Sequence, residues 1–194
     1  RAWVLDPIDG TKGFMRGQHF CVALALLEDG IPVLSVLGTP NLAAKGVLTG
    51  APAADLVAVE AAFSIDTSAG ATELHPSDAG SIFFAVSGAG AFCRTLGQPF
   101  GSAFEVSTST IGLENGMGSE VKLCEAAEAA HGDRSTTDRV RAEVGSNQDF
   151  VRMDGQGKMC VVGGGAAEAV IRLPPLGYRE KIWDHAAGQH YVGE

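Results

Sequence analysis

Apolar residues in the first half of the chain fall in short blocks separated by turn-forming residues, a pattern that predicts strands. Residues 2–5, AWVL, read as a short strand running into the turn DPIDGT. Two apolar blocks at 20–27 and 31–37 flank Glu28-Asp29-Gly30 and predict a hairpin. A second hairpin is expected in SIFFAVSGAGAFCRTL, turning at 87–90, with further short strands at 46–49 and 104–106. The first half therefore reads as mostly antiparallel sheet.

Beyond about residue 113 the pattern changes. SEVKLCEAAEAAHGD predicts a helix over 119–130, because Ser119 can cap it and Ala, Glu, Leu and Lys favour the conformation. A short helix at 137–144, a strand at 150–153, a helix after Asp154, a strand at 169–173, a Pro-Pro turn and a last helix from about Asp184 follow. Alternating helices and strands predict a parallel or mixed α/β layer. The fold class is α/β (α+β): a sheet-rich part of a first α+β domain over residues 1–113, and an α/β domain over 114–194. No repeat or low-complexity segment interrupts this plan.

Composition narrows the function. The chain has 194 residues, 45% of them apolar, enough to bury a real core, and its 26 glycines predict many tight turns. A net charge of -9 argues against a surface that coats nucleic acid, which needs clustered Lys and Arg. It leaves phosphate chemistry open, since divalent cations between carboxylates and phosphoryl oxygens supply positive charge. Four widely spaced cysteines, with no CxxC pair, read as buried thiols in a reducing, cytoplasmic compartment. No stretch reaches the roughly 18 apolar residues of a membrane span.

The chemistry concentrates in two motifs. In LDPIDGTKGF, at residues 5–14, Asp6 and Asp9 flank a Pro-Ile step at the end of the first strand. Pro7 and Gly10 constrain the turn so that both carboxylates and the Ile8 carbonyl lie on one small arc, an all-oxygen set suited to Mg²⁺ rather than zinc. Thr11 adds a hydroxyl that can orient a water or donate to phosphate. The bland alternative is a surface Pro-Asp-Gly turn, and an EF-hand fits the spacing poorly. In EKIWDHAAG, at 180–188, Asp184 stands at a helix start with small residues behind it. It is either an N-cap or a further metal oxygen beside backbone N–H groups that a phosphate can approach. GGGAAE at 163–168 is a poor dinucleotide loop, and His185 and His190 lack zinc-motif spacing.

The pair DPIDGT and WDHAAG resembles the paired signature of the lithium-sensitive, Mg²⁺-dependent phosphatase superfamily that includes inositol monophosphatase. Within it, DGTKGFMRG, RLP and YREKIWDHAAG are most similar to the 3'(2'),5'-bisphosphate nucleotidase branch. The resemblance covers essentially the whole chain and implies a layered α-β-α-β-α sandwich, incomplete here at both ends. It implies Asp6, the Ile8 carbonyl, Asp9 and Asp184 as ligands of two or three Mg²⁺ ions, with Thr11 helping to activate water. The branch's DSQAK pattern reads DGQGK here, so Lys158 matches, while Gly155 stands where a serine is usual and keeps only its backbone N–H as a donor. Arg172 in IRLP matches a nucleotide-holding arginine, and His131 falls at a base-contacting histidine. Read without the resemblance, Lys158 and Arg172 are surface charges and His131 a residue favoured by a helix C-terminus.

The implied substrate is a small nucleotide, adenosine 3',5'-bisphosphate, hydrolysed to AMP and phosphate by metal-activated water, with 3'-phosphoadenylyl sulfate a further candidate. Alternatives are an inositol phosphate or other sugar phosphate, and, in another class, a noncatalytic nucleotide sensor. Neither nucleic acid nor membrane is an expected partner, and oligomeric state is not encoded in any motif. The resemblance also implies an acidic segment upstream of DPIDGT, carrying a metal-binding Glu and a water-polarising Asp, and continuation past the last helix. The expectation is a fragment whose metal site is incomplete and whose own activity is very low.

Overall fold

The computed structural model describes residues 1–43, 80–109, 118–128, 133–174 and 176–194. In the first half, β1 (Ala2–Asp9) leads into a short helix α1 (Thr11–Met15). The predicted hairpins follow as β2 (Cys21–Glu28) with β3 (Ile31–Thr39), and β4 (Ser81–Val86) with β5 (Gly90–Thr95), then β6 (Phe104–Val106). All six strands form one antiparallel sheet in sequence order, as the apolar blocks and turns predict. The strand expected at 46–49 and the boundary near residue 113 lie outside the described residues.

The second half holds β7 (Leu123–Ala126), α2 (Arg134–Val144), β8 (Val151–Met153), α3 (Gly157–Gly163), β9 (Ala169–Val170), a 3-10 turn (Ile182–Asp184) and α4 (Ala186–Gly193). Its three strands are parallel, in the order β8-β7-β9. One expectation fails: the described part of 119–130 holds strand β7, not a helix. Leu123, Cys124 and Glu125 are all buried, so β7 is covered on both faces as the middle strand, and tertiary burial overrides the helix propensity of Ala and Glu. Glu125 is tolerated there because its two oxygens accept from Thr137 Oγ1 at 2.7 Å and Arg152 Nε at 2.6 Å. Helix α2 begins three residues before the expected start because Asp133 caps it, accepting from the Ser135 and Thr136 N–H groups.

Alternation along the strands sorts the residues into layers. Ala23, Ala25, Leu37, Phe83 and Cys93 are buried on one face of the antiparallel sheet, in a single hydrophobic cluster with Val161 of α3 and Tyr191 of α4. Cys124 and Met153 of the parallel sheet join the same cluster, while Leu123 and Phe150 form a second one with Val144 of α2. Among the described residues the order is thus sheet, helices α3 and α4, sheet, helix α2, which matches four layers of the expected α-β-α-β-α sandwich. The other face of the antiparallel sheet carries Trp3 at 61% and Leu5 at 51% exposure, beside half-buried Leu24 and Phe84. All four cysteines are free and buried, and among the described residues no helix is long and apolar enough to cross a membrane.

Phe83 and Tyr191 meet edge to face at 5.8 Å and join the first sheet to α4. The Tyr191 hydroxyl is buried with no hydrogen-bond partner among the described residues. An unsatisfied buried hydroxyl costs about 1–3 kcal/mol, so Tyr191→Phe is expected to stabilise the protein by about 1 kcal/mol in denaturant titration, whereas Tyr191→Ala, which opens a cavity, costs about 3–5 kcal/mol.

Candidate active site

The first motif is built on a break in strand register. Residues 2–6 pair one for one with residues 27–23, but the next pairing is Asp9 with Cys21, so three steps along β1 match two along β2. In a regular strand, residues three apart point to opposite faces. The extra residue at Pro7-Ile8 forms a bulge and brings Asp6 and Asp9 onto one face, that of buried Ala23 and Cys21. Proline is admissible there because β1 is an edge strand with an N–H to spare. Asp6 Oδ1 accepts from the Ile8 N–H at 3.1 Å, and the Thr11 hydroxyl donates to the Ile8 carbonyl at 3.2 Å, which close the turn on itself.

Against this turn lies the loop after β8. Gly10 has φ 85 and Gly155 φ 67, both in the left-handed region. A Cβ on Gly10 would stand 2.9 Å from the Gly155 nitrogen, and one on Gly155 would stand 2.6 Å from the Asp9 carbonyl oxygen. The two loops therefore stack backbone on backbone. Gly155 makes this close approach possible, a job the DSQAK comparison did not reveal. The next N–H, from Gln156, donates to Asp9 Oδ2 at 2.8 Å.

The Gln156 side chain reaches the second motif: its Nε2 donates to the Trp183 carbonyl and its Oε1 accepts from the Gly188 N–H, each at 2.9 Å. Three stretches far apart in the chain, DPIDGT, DGQGK and WDHAAG, thus meet around one buried glutamine. They enclose a cavity of about 590 Å³. Its lining includes Asp6, Ile8, Asp9, Gly10 and Thr11, together with Gly155, Lys158, Arg172 and Asp184. His131 lies outside the described residues.

Several features of the cavity had no counterpart in the sequence reading. Lys158 is buried and donates to the Met153 and Gly155 carbonyls at 3.1 and 2.7 Å, so the ammonium holds the glycine loop as well as charging the cavity floor. Arg172 Nε donates to Glu180 at 2.5 Å, and its guanidinium lies 6.0 Å from the centre of the Tyr178 ring. Arg16 bridges α1 to Glu128 and to Asp154 Oδ2, the latter at 2.5 Å. Gln156 sits inside a motif that drew attention only for its glycine and lysine.

Electrostatics marks the carboxylates. Burial raises the pKa of Asp6; the Ile8 N–H pulls it back and the nearby charge of Asp184 adds to the rise. Burial pushes Asp9 up to about 6, opposed by the Gln156 hydrogen bond and the charge of Lys158. Burial in turn lowers the pKa of Lys158, opposed by Asp9. Among the described residues, no three His, Cys, Asp or Glu side chains stand close enough to form a metal site as they are.

A family model described as "Inositol monophosphatase family" matches residues 1–194. The chain belongs to the inositol monophosphatase family. Among curated relatives of this family member, the 3'(2'),5'-bisphosphate nucleotidase 1 of Candida albicans is 37% identical over 201 residues, matching all of this chain and 49% of its own length. The 3'(2'),5'-bisphosphate nucleotidase of Oryza sativa is 39% identical over 197 residues, again over the whole chain and 47% of its own length. The chain thus spans about half the length of the curated relatives it matches. Among solved structures, CysQ from Bacteroides thetaiotaomicron aligns with TM-score 0.59 at 19% identity, over 97% of this chain and 57% of its own. The inositol monophosphatase from Anabaena aligns with TM-score 0.58 at 16% identity, over 99% and 58%. These two likenesses establish the layered sandwich as a shared fold.

A carboxyl whose pKa is higher folded than unfolded stabilises the fold most at low pH, and for Asp9 that contribution is lost as pH rises through about 6. Metal-free protein is therefore expected to gain on the order of 1 kcal/mol from this group between about pH 7 and about pH 5. Asp9→Asn, which keeps an acceptor for the Gln156 N–H, should flatten that part of the profile in pH-dependent unfolding experiments.

Proposed function

We propose that this chain carries the centre of a Mg²⁺-dependent phosphomonoesterase that hydrolyses adenosine 3',5'-bisphosphate to AMP and phosphate. The observation that carries the reading is the meeting of Asp6 and Asp9 with Asp184, 175 positions further along the sequence, on one cavity. Its substrate class rests on the names of the curated relatives, all 3'(2'),5'-bisphosphate nucleotidases in the two cases described.

The residues fit the metal in kind. Three carboxylates and the Ile8 carbonyl form an all-oxygen donor set, the preference of Mg²⁺ and Ca²⁺ rather than of zinc. One oxygen of each carboxylate is anchored by a main-chain N–H, from Ile8 on Asp6, Gln156 on Asp9 and Lys181 on Asp184. These anchors fix the orientation of each carboxylate. Burial, with the nearby charge of Asp184 adding to it, disfavours ionised Asp6, and a cation beside it would offset that cost. When bound, Mg²⁺ supplies Lewis-acid neutralisation of phosphoryl oxygens and acidifies the attacking water.

The chain's own residues do the rest. The Thr11 hydroxyl, committed as a donor to the Ile8 carbonyl, keeps its lone pairs to accept from a water and orient it in line with phosphorus. Arg172, held by Glu180, and Lys158, whose charge acts on Asp9, place positive charge in the cavity, where it suits the phosphate that does not react. Tyr178 adds an aromatic ring to the lining.

With the full-length protein, the expected order of kcat/KM is adenosine 3',5'-bisphosphate above inositol monophosphate, with activity lost on chelation and restored by Mg²⁺. Asp9→Asn should lower phosphate release by more than the roughly 10–100-fold typical of losing an outer partner of a metal ligand. Faster hydrolysis of inositol monophosphate would transfer the site to sugar phosphates. Release unchanged in Asp9→Asn would mark a noncatalytic nucleotide-binding protein.

A further inference from the structure

We propose that Gln156 is a positioning residue that sets the distance between Asp9 and Asp184 for cation binding. The inference rests on the reading above, that both carboxylates serve one metal centre, and adds a group outside the ligand set on which their spacing depends.

The structural basis is a break in the last helix. The 3-10 turn ending at Asp184 does not run smoothly into α4, because His185 between them has φ -150 and ψ -18. In a continuous α-helix the Trp183 carbonyl would accept from Ala187, and the Gly188 N–H would donate to the Asp184 carbonyl. The Gln156 carboxamide takes both places, donating to Trp183 O and accepting from Gly188 N–H at 2.9 Å each. The orientation of the amide is fixed by its partners, since a carbonyl only accepts and a backbone N–H only donates. Gln156 is 3% exposed, so neither bond can be exchanged for one to bulk water.

The same residue's main chain holds Asp9 Oδ2 at 2.8 Å. Gln156 therefore grips one carboxylate directly and the other through the residue immediately before it. A side chain must match three demands here: length to span the gap, one donor and one acceptor. Glutamate keeps the length and acceptor but turns a carboxylate oxygen towards the Trp183 carbonyl. Methionine keeps the length and loses both bonds.

The test measures Mg²⁺ affinity calorimetrically, without substrate, in full-length Gln156→Glu and Gln156→Met, with kcat and KM determined separately below their melting temperatures. Mg²⁺ binding is expected to weaken by about 10-fold or more. The expected kinetic signature is a fall in kcat that exceeds any rise in the KM for the nucleotide, because Lys158 and Arg172 are both retained. A residue that only stabilises the fold would lower the melting temperature and leave Mg²⁺ affinity unchanged; that result in folded variants overturns the proposal. If only Gln156→Glu folds, it decides alone, and failure of both to fold assigns Gln156 to the fold and equally overturns it. Weakened Mg²⁺ binding in a protein that hydrolyses no phosphate monoester would sustain the positioning role and sink the phosphatase reading. Hydrolysis by the parent, with Mg²⁺ affinity unchanged in the variants, would do the reverse.

Discussion

The single extra residue in β1 at Pro7-Ile8 puts Asp6 and Asp9 on one face, and the candidate site depends on it. Without it, Asp6 and Asp9 would alternate, one carboxylate turned to the outer face beside Trp3 and Leu5, the other towards the helices. With it, both sit opposite residues two apart on β2, and the sheet presents them together to the layer that holds α3 and α4. A bulge costs ladder hydrogen bonds, and the chain limits the loss by placing it on the edge strand and at a proline, which has no N–H to leave unpaired.

The rest of the site is arranged to meet that pair. Gly10 and Gly155 bring the loop after β8 within backbone contact of the turn, and Lys158 secures that loop from beneath through two carbonyls. The 3-10 turn then carries Asp184 to the same cavity. Burial raises the pKa of Asp6 and of Asp9, and the nearby charge of Asp184 adds to the rise at Asp6. Burying ionisable carboxyls costs stability, and perturbed carboxyls of this kind mark a candidate site.

Local rules exposed some parts of this and hid others. Hairpins were legible because each apolar block is bounded by Gly, Asp or Ser in a two- to four-residue turn, and the parallel layer because helix and strand signals alternate. β7 was not: Ala and Glu around 125–128 follow helix propensity, and only the covering of both faces makes the segment a strand. The carboxylates and Thr11 were legible from residue type and spacing. Their sharing one arc was expected from Pro7 and Gly10; the means was not, since a bulge is a matter of register between two strands. Gln156 was hidden for a related reason. Its importance lies in partners 27 and 32 residues away, and nothing in the letters DGQGK announces that Trp183 and Gly188 need a donor and an acceptor.

The claim on which all this depends is that Asp6, Asp9 and Asp184 share a divalent cation. Anomalous diffraction from crystals of the full-length protein soaked in Mn²⁺, a stand-in for Mg²⁺ with a measurable signal, tests it directly. The account predicts a peak in the cavity within about 2–2.6 Å of carboxylate oxygens from both the β1 turn and Asp184. Mn²⁺ bound elsewhere, or held by the β1 turn with the Asp184 carboxylate remaining out of reach, would contradict it.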